Sequence, residues 1–168
     1  MIQMTRAMTE VTIYDFVDEF LVVCPACSAR AVVRAGTEGK PPRFTCSRCG
    51  RSQDWKATSY GVLFSRPASG WPQGQFAIGD ASDAYFHLPL WLQSRCLGHT
   101  LWAFNRRHLA FLRDFVEATD RAVRRRDADE PLNTLLASRL PKWIQLAKNR
   151  PVVLRALSKL EARAQEVG

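Results

Sequence analysis

The alternation of apolar and polar positions divides the chain into a strand-like front and a helical back. Short apolar runs at 21–23, 31–34 and 61–64 are bounded by Gly, Pro, Ser or Cys, a pattern typical of strands and hairpins. From residue 105 onward, apolar residues recur at the spacing of one helix face, at Leu109, Leu112, Val116 and Val123. The pattern predicts an α+β chain in which β-hairpins come first and helices follow.

The middle of the chain combines a long loop with a dense aromatic segment. Residues 56–82 are rich in Gly, Ser and Pro, which predicts a loop. Two strands are predicted at 86–93 and 100–104, joined by a turn at 94–99. Ahead of the first hairpin, the mixed aromatic and acidic residues 12–20 predict a short helix or strand.

Up to four helices are predicted in the back half. Asn105 is a candidate N-cap for a helix that runs to about Arg126. Pro131, Pro141 and Pro151 each suit the first turn of a further helix. The chain therefore divides into three predicted parts: a ribbon-like unit with an N-terminal extension (1–60), a loop-rich connector (61–83), and a β-hairpin with three to four helices (84–168).

Four cysteines follow the spacing of a structural metal site. Two residues separate Cys24 from Cys27 and Cys46 from Cys49, with eighteen residues between the pairs. Two residues between thiols allow one tight turn to direct both sulfurs to one point, and two such turns form the tetrahedral S4 cage that Zn²⁺ accepts. Gly50 suits a left-handed backbone after the second pair. The spacing predicts one zinc ion per chain, bound by these four cysteines.

Other uses of the cysteines are weaker. The first ten residues contain no secretory signal, so we expect a cytoplasmic location in which thiols stay reduced, which disfavours disulfides. A single C-x2-C motif could be a redox site, but that use calls for a βαβ context, and two paired motifs argue against it. Iron also accepts a tetrahedral S4 site, but rubredoxin-type turns usually carry proline in both pairs, and the second turn here is CSRC.

Two resemblances follow from these motifs. The segment 21–55, through its four cysteines, resembles the zinc ribbon of transcription factor IIB and of many ribosomal and polymerase-associated proteins. In the back half, LPLWLQ, CLGHTLWAFN and LASRLPKWIQLAKNRPVVLRAL resemble a group of small bacterial proteins described only as zinc-ribbon-containing. The resemblances imply an N-terminal zinc ribbon followed by a helical C-terminal half, and they imply no catalytic residue.

Positive charge is unevenly distributed. The 168-residue chain has a formal net charge of +8, to which residues 121–168 contribute +6 and residues 1–60 contribute +2. Such a balance permits an acidic partner such as nucleic acid or an anionic surface.

The ribbon segment offers candidate contacts for nucleic acid. Arginines suit phosphates, and a tryptophan suits stacking on a base; the candidates are Arg34, Arg43, Arg48, Arg51 and Trp55. The alternative is that the arginines neutralise the thiolate cage and that Trp55 packs on the hairpin.

Arg106 and Arg107 form a further candidate anion site. Both follow the predicted N-cap, where positive side chains oppose the helix dipole and free N–H groups favour an anion. The alternative is that they fold back onto Asp83 or Asp114, or remain solvated.

Cys96 and His99 form a C-x2-H pair that His87 or His108 could complete as a second metal site. No second pair has the matching spacing, so the alternative is a buried thiol beside a turn histidine.

The sequence favours a binding function over catalysis. It contains no Gly-rich phosphate loop, and an S4 site filled by cysteines has no open position for water. The apolar runs are much shorter than the about 20 residues of a membrane span, so no membrane association is expected. We expect a non-catalytic zinc-binding module associated with nucleic acid or a nucleic-acid machine. The alternative is a protein–protein adaptor or accessory subunit in which the ribbon is purely structural.

Overall fold

The computed structural model describes residues 10–118 and 135–166 and confirms the α+β class, with antiparallel hairpins first and helices after them. The strands are β1 (Glu19–Val23), β2 (Arg30–Arg34), β3 (Arg43–Thr45), β4 (Ser52–Asp54), β5 (Val62–Leu63), β6 (Phe76–Ala77), β7 (Leu92–Cys96) and β8 (His99–Ala103). The helices are α1 (Arg106–Glu117), α2 (Leu136–Arg139), α3 (Lys142–Gln145) and α4 (Arg150–Gln165), with short 3-10 turns at Ile13–Phe16 and Ala147–Asn149.

The front of the molecule is an antiparallel sheet in the order β1-β2-β3-β4. Burial decreases steadily across it. The three central residues of β1, at 20–22, are all buried, whereas all three residues of β4 are exposed. A strand that buries consecutive residues must be covered on both faces, so β1 lies inside the molecule while β4 lies at its surface.

Hydrogen bonds from β1 to the second half of the chain explain this burial. The Leu21 N–H donates to the Phe104 carbonyl, and the Leu21 carbonyl accepts from the Trp91 N–H, both at 2.8 Å. The Val23 N–H donates to the Pro89 carbonyl at 2.9 Å. The ribbon and the back half also share one cluster of buried apolar side chains. The division of the chain at residues 60 and 83 stays a prediction, and the structure shows a common core across it.

The predicted second hairpin is present with one changed strand. β7 pairs with β8 through a two-residue turn at Leu97 and Gly98, whose φ angles of 52° and 77° match the turn that tight hairpins favour. The predicted strand at 86–93 is wrong except for its last two residues. The buried carboxylate of Asp83 accepts hydrogen bonds from the N–H groups of 85, 86 and 88, which removes them from any strand ladder.

The starts of α1, α3 and α4 follow the sequence signals. The Asn105 side chain accepts from the His108 N–H at 3.0 Å, which confirms the predicted N-cap. α1 ends at Glu117, and Ala118 after it has a non-helical ψ of 134°, so the predicted uninterrupted run to Arg126 is wrong. α2 begins only at Leu136, after an extended Leu135, so the uninterrupted helix predicted from Pro131 is also wrong. Residues 119–134 lie outside the described residues. Pro141 directly precedes α3, and Pro151 lies in the first turn of α4, as predicted.

The C-terminal end of α4 is a meeting point for three other parts of the molecule. Its last carbonyls accept hydrogen bonds from the Arg30 guanidinium of β2 (3.1 Å) and from Arg106 Nε at the start of α1 (3.1 Å), both on Ala164. The Trp91 indole N–H donates to the Arg163 carbonyl at 3.1 Å. Donors and positive charge at a helix C-terminus are favourable, so this junction connects ribbon, hairpin and helices.

Candidate metal centre

Two equivalent turns build the metal centre. In the first (residues 24–27), the Cys24 N–H donates to the carbonyl five residues later, and the Ser28 N–H donates back to the Cys24 carbonyl. In the second (residues 46–49), the Cys46 N–H and the Gly50 N–H repeat both bonds. We call these turns the first and second knuckle. The repeated pattern shows that the C-x2-C spacing encodes one local fold twice.

Each knuckle ends in a left-handed residue. Gly50 has a φ of 73°, which confirms the prediction for the second knuckle. Ser28 occupies the matching position in the first knuckle with a φ of 59°. A non-glycine residue rarely adopts this backbone unless its surroundings impose it. Comparison of the two knuckles in the sequence was the signal that could have identified Ser28.

The four sulfurs lie close together. Cys24 Sγ is 3.8 Å from Cys49 Sγ, Cys27 Sγ is 3.6 Å from Cys46 Sγ, and all four sulfurs lie within 4.8 Å of one another. All five cysteines of the chain are described and none forms a disulfide. A tetrahedral Zn–S4 centre with bonds of about 2.3 Å places its sulfurs about 3.8 Å apart. The cluster therefore has the dimensions of a four-thiolate metal site.

The thiols differ in acidity before a metal binds. Burial raises the pKa of Cys24, but hydrogen bonds from the Ala26 and Cys27 amides and from neighbouring thiols outweigh it and lower the pKa to about 7. The Ala29 amide lowers the pKa of Cys27, but burial and the other three thiols outweigh it and raise the pKa to about 11. A metal ion replaces these protons, because it binds thiolates only.

The ribbon arginines fall into two groups. Arg34 pairs with Glu19 at 3.4 Å, and Arg43 pairs with Asp54 across β3 and β4. Arg48 in the second knuckle and Arg51 just after it are exposed, and within the described ranges neither has a hydrogen-bond or ion-pair partner. The candidates that the sequence grouped together are thus separated into paired and unpaired cations.

Trp55 and the two helix arginines make intramolecular contacts. Trp55 packs edge-on against Tyr85 with 5.1 Å between ring centroids. Arg106 donates to the Ala164 carbonyl at the end of α4. Arg107 pairs with Asp18 and lies 5.9 Å from the Phe16 ring centroid. The partners of both arginines differ from Asp83 and Asp114, which the sequence suggested.

Cys96 and His99 face each other at the tip of the β7–β8 hairpin. Burial raises the pKa of the Cys96 thiol, and the His99 ring stacks on Trp143 at 5.0 Å. Among the described residues, Cys24, Cys27, Cys46 and Cys49 are the one group of three or more potential ligands close enough to share a metal ion.

The segment at 83–88, which we call the aromatic loop, was not identified as a site from the sequence. Burial raises the pKa of Asp83, and the three backbone donors that hold its carboxylate act in the opposite direction. Burial and the nearby Asp83 charge raise the pKa of Tyr85. His87 has a φ of 57°. The Asp-plus-proline pattern of DAYFHLP was the available signal for a turn rather than a strand.

Comparison with protein-family models, curated proteins and solved structures finds no match to this chain. The ribbon-like centre is supported by the cysteine cluster, whereas the wider resemblance to small bacterial zinc-ribbon-containing proteins gains no support from a match. Within 10–118 and 135–166, no helix is long and apolar enough to cross a membrane.

Proposed function

We propose that this chain is a non-catalytic, cytoplasmic zinc-binding module that associates with nucleic acid through the face next to its second knuckle. The observation that carries the proposal is the set of unpaired cations in residues 48–56, which run from the second knuckle through β4: Arg48, Arg51 and Lys56 are exposed and have no partner among the described residues. Unpaired arginine and lysine side chains on one segment are the electrostatic feature that phosphate backbones bind.

Zinc is the metal that fits this centre best. Four thiolates suit Zn²⁺, and the sulfur separations match a tetrahedral site. An S4 site is closed to water, so its role is to hold the knuckles together rather than to hydrolyse a substrate. Reduced thiols are maintained in the cytoplasm, which is why we place the module there.

The proposed footprint keeps three of the seven sequence candidates and adds Lys56. Arg106 and Arg107 are omitted because their guanidinium groups are bonded to α4 and to Asp18. Arg34 and Arg43 are omitted because each has a carboxylate partner. This leaves the second knuckle and the residues up to Lys56, a segment in which cations lie close to Trp55.

The test is a titration of single- and double-stranded oligonucleotides at two salt concentrations. Affinity should fall by roughly 0.7–0.9 log units per log unit of salt for each phosphate contacted. The Arg48→Ala/Arg51→Ala protein should bind more weakly and with a smaller salt dependence. The matched control, Arg34→Ala/Arg43→Ala, removes the same charge from paired positions and should bind like wild type. Absence of binding at low salt, or equal behaviour of the two double variants, would contradict the proposal.

An adaptor function is the second candidate, because one segment exposes apolar side chains. Tyr60 is fully exposed, and Val62 and Phe64 are exposed at alternate positions after it. Such a stripe suits contact with another protein. A pull-down from native lysate with and without nuclease separates the two functions: partners lost with nuclease support nucleic acid, and partners retained but lost in a Tyr60→Ser/Phe64→Ser protein support the adaptor.

A further inference from the structure

A cleft of about 630 Å³ lies between the ribbon and the aromatic loop. Its walls include Phe44 and Trp55 from the ribbon and Tyr85, Phe86 and His87 from the aromatic loop. Cavities of roughly 300–1,000 Å³ with aromatic walls and a few polar groups are typical of small-molecule sites. The cleft therefore has the size and lining of a site for a compact planar ligand.

The aromatic loop is held in place before any ligand arrives. The buried Asp83 carboxylate accepts from the Tyr85 N–H at 2.9 Å, the Phe86 N–H at 2.8 Å and the Leu88 N–H at 2.7 Å. His87 lies between these residues with a positive φ. A left-handed non-glycine residue is retained where its surroundings impose it, and such residues cluster at binding sites. The wall of the cleft is preorganised by these bonds.

Among the described residues, two that line the cleft each have a buried polar atom without a hydrogen-bond partner. In the described part of the chain, six buried side-chain nitrogen or oxygen atoms have no hydrogen bond, and three of them are Trp55 Nε1, His87 Nδ1 and Trp71 Nε1. Trp55 and His87 line the cleft, and Trp71 stacks on His87. Buried polar groups are normally satisfied, and exceptions indicate strain or a missing partner. Trp55 Nε1 and His87 Nδ1 are inaccessible to solvent, so a ligand in the cleft contacts other atoms of these two side chains.

The cleft can therefore hold a planar ring by contact with aromatic side chains rather than through these nitrogens. Every nucleobase has a π-face, and stacking of a base on an aromatic side chain is favourable. His87 Nε2 is already used, because it lies 3.2 Å from the Pro72 carbonyl and donates to it. A nucleobase is therefore a planar ring that fits this cleft.

The uncompensated charge at the cleft is positive. Arg51 and Lys56 line it and are exposed without a partner in the described ranges. Asp54 also lines it, but its charge is balanced by Arg43. The ligand should therefore combine a planar polar ring with an anionic group.

We propose that the cleft binds one nucleoside monophosphate unit, with its base against the aromatic walls and its phosphate at Arg51 and Lys56. The unit is either a free nucleotide or an unpaired nucleotide of a single strand, since both present the same chemistry. This inference rests on the proposed association with nucleic acid and deepens it, because base stacking on aromatic side chains is how unpaired strands are held.

The experiment is calorimetric titration of the zinc-loaded full chain with AMP, adenosine, inorganic phosphate and a five-nucleotide single strand. AMP or the strand should bind at least tenfold more tightly than adenosine or phosphate alone, because only they present both groups. Binding of AMP identifies a free nucleotide as sufficient, and binding of the strand alone identifies the unpaired strand as the source. Absence of binding by both overturns the proposal.

Variants locate the binding in the cleft. Trp55→Leu keeps an apolar side chain but removes the aromatic ring, and should weaken binding about fivefold to tenfold. Its control, Trp143→Leu, alters a tryptophan that stacks on His99 and does not line the cleft, and should bind like wild type. His87→Asn preserves tolerance of a positive φ and should also weaken binding. Equal affinities for Trp55→Leu, Trp143→Leu and wild type overturn the proposal.

The same variants separate this inference from the proposed function. If Arg48→Ala weakens binding of long oligonucleotides and Trp55→Leu does not, the nucleic-acid association stands and the cleft site fails. If AMP binds and Trp55→Leu weakens it while long oligonucleotides do not bind at any salt concentration, the cleft site stands and the association fails.

Discussion

The outer strands of the ribbon and the α1–α4 pair are folded by different forces. Across β3 and β4, Phe44 is the one buried residue, and the second knuckle that joins these strands adds the buried Cys46. The two helices instead bury a continuous apolar set, which includes Leu109, Leu112, Phe115, Val116, Val153, Leu157 and Leu160. A sheet edge with so little apolar burial needs another source of stability, and four convergent thiols are the available one. The helices need no metal site, because their apolar burial stabilises them.

β1 belongs both to the ribbon sheet and to the core shared with the helices, so the two regions are not fully independent. Its residues Phe20 and Val22 are fully buried in the shared core, and its backbone bonds to Trp91 and Phe104. Metal loss should therefore loosen the outer ribbon and leave β1 anchored to the rest of the core.

Removal of the metal should give the largest effect. Structural zinc sites contribute apparent free energies of about 10–16 kcal/mol in zinc-finger peptides. We expect one zinc per chain in wild type, and loss of that zinc in Cys46→Ser, with loss of amide protection in β3 and β4. Far-UV helix signal should largely remain. Elemental analysis and hydrogen exchange measure both effects.

Cys96→Ser is the matched control for the metal, because Cys96 is buried outside the cluster. It should keep its zinc. Complete loss of helix signal on chelation would show that the two regions form one cooperative unit. It would contradict the claim that they are stabilised separately.

Truncation in the helical region should lower stability without releasing zinc. Leu157 is fully buried, so Leu157→Ala should cost about 2–5 kcal/mol in the free energy of unfolding. Leu146→Ala makes the same chemical change at an exposed position and should cost about 0.5 kcal/mol or less. Denaturant unfolding together with zinc content tests the pair. Release of zinc from the folded Leu157→Ala protein would contradict the independent stabilisation of the metal centre and the helical region.

Acid should weaken the helical region through His108. Burial lowers the pKa of His108 to about 3, against an ordinary value of 6.5, and its Nδ1 accepts from the Phe104 N–H. Between these two values the unfolded chain binds a proton that the folded chain does not. Stability is therefore present above pH 6.5 and falls as pH decreases towards 3, by up to about 1.4 kcal/mol per pH unit.

The measurement is the pH dependence of unfolding for wild type and His108→Gln, which keeps an acceptor and cannot titrate. Both proteins release zinc in acid. The difference between their slopes of unfolding free energy against pH is therefore the contribution of His108. Equal slopes would show that the pKa of His108 is the same in the folded and unfolded states, which would contradict this prediction.

Substitution of the α1 N-cap should lower stability by a smaller amount. It should weaken both the helix and its contacts with the front of the molecule. Asn105 caps α1, and its side-chain amide also donates to the carbonyls of Phe16 and Glu19. Asn105→Asp keeps the cap acceptor and removes both donors, whereas Asn105→Ala removes all three bonds. We expect a cost of about 1–2 kcal/mol for Ala. Thermal unfolding of the two variants measures how much of the cost lies in the contacts with the front of the molecule; identical stability to wild type would contradict this role.

Local signals were readable from the sequence because their partners lie within a few residues. Two cysteines and Gly50 specify a knuckle, and Asn105 caps the helix that follows it. The aromatic loop was misjudged because apolar alternation at 86–93 resembles a strand. Hydrogen bonds from nearby amides to the Asp83 carboxylate hold this segment as a loop. Such local bonds compete with strand pairing for the same backbone N–H groups.

Features built from distant segments could not be predicted in this way. The cleft combines residues near 25, 51–58, 73–74 and 85–88, and no periodicity relates these positions. Arg106 looked like an anion site because it opposes the dipole of its own helix. Its actual acceptor is at the end of α4, 58 residues further on, where the positive charge is favourable.

The junction at the end of α4 also fixes an order of events during synthesis. Arg30 and its acceptor, the Ala164 carbonyl, are 134 residues apart. At about 5–20 residues per second, a ribosome takes roughly 7–27 seconds to make the intervening chain. The four cysteines of the metal centre precede residue 50, so metal can bind before the acceptors of Arg30, Trp91 and Arg106, the carbonyls of 163 and 164, have been made. Docking of α4 is then the step that closes the molecule, and its timing is set by translation.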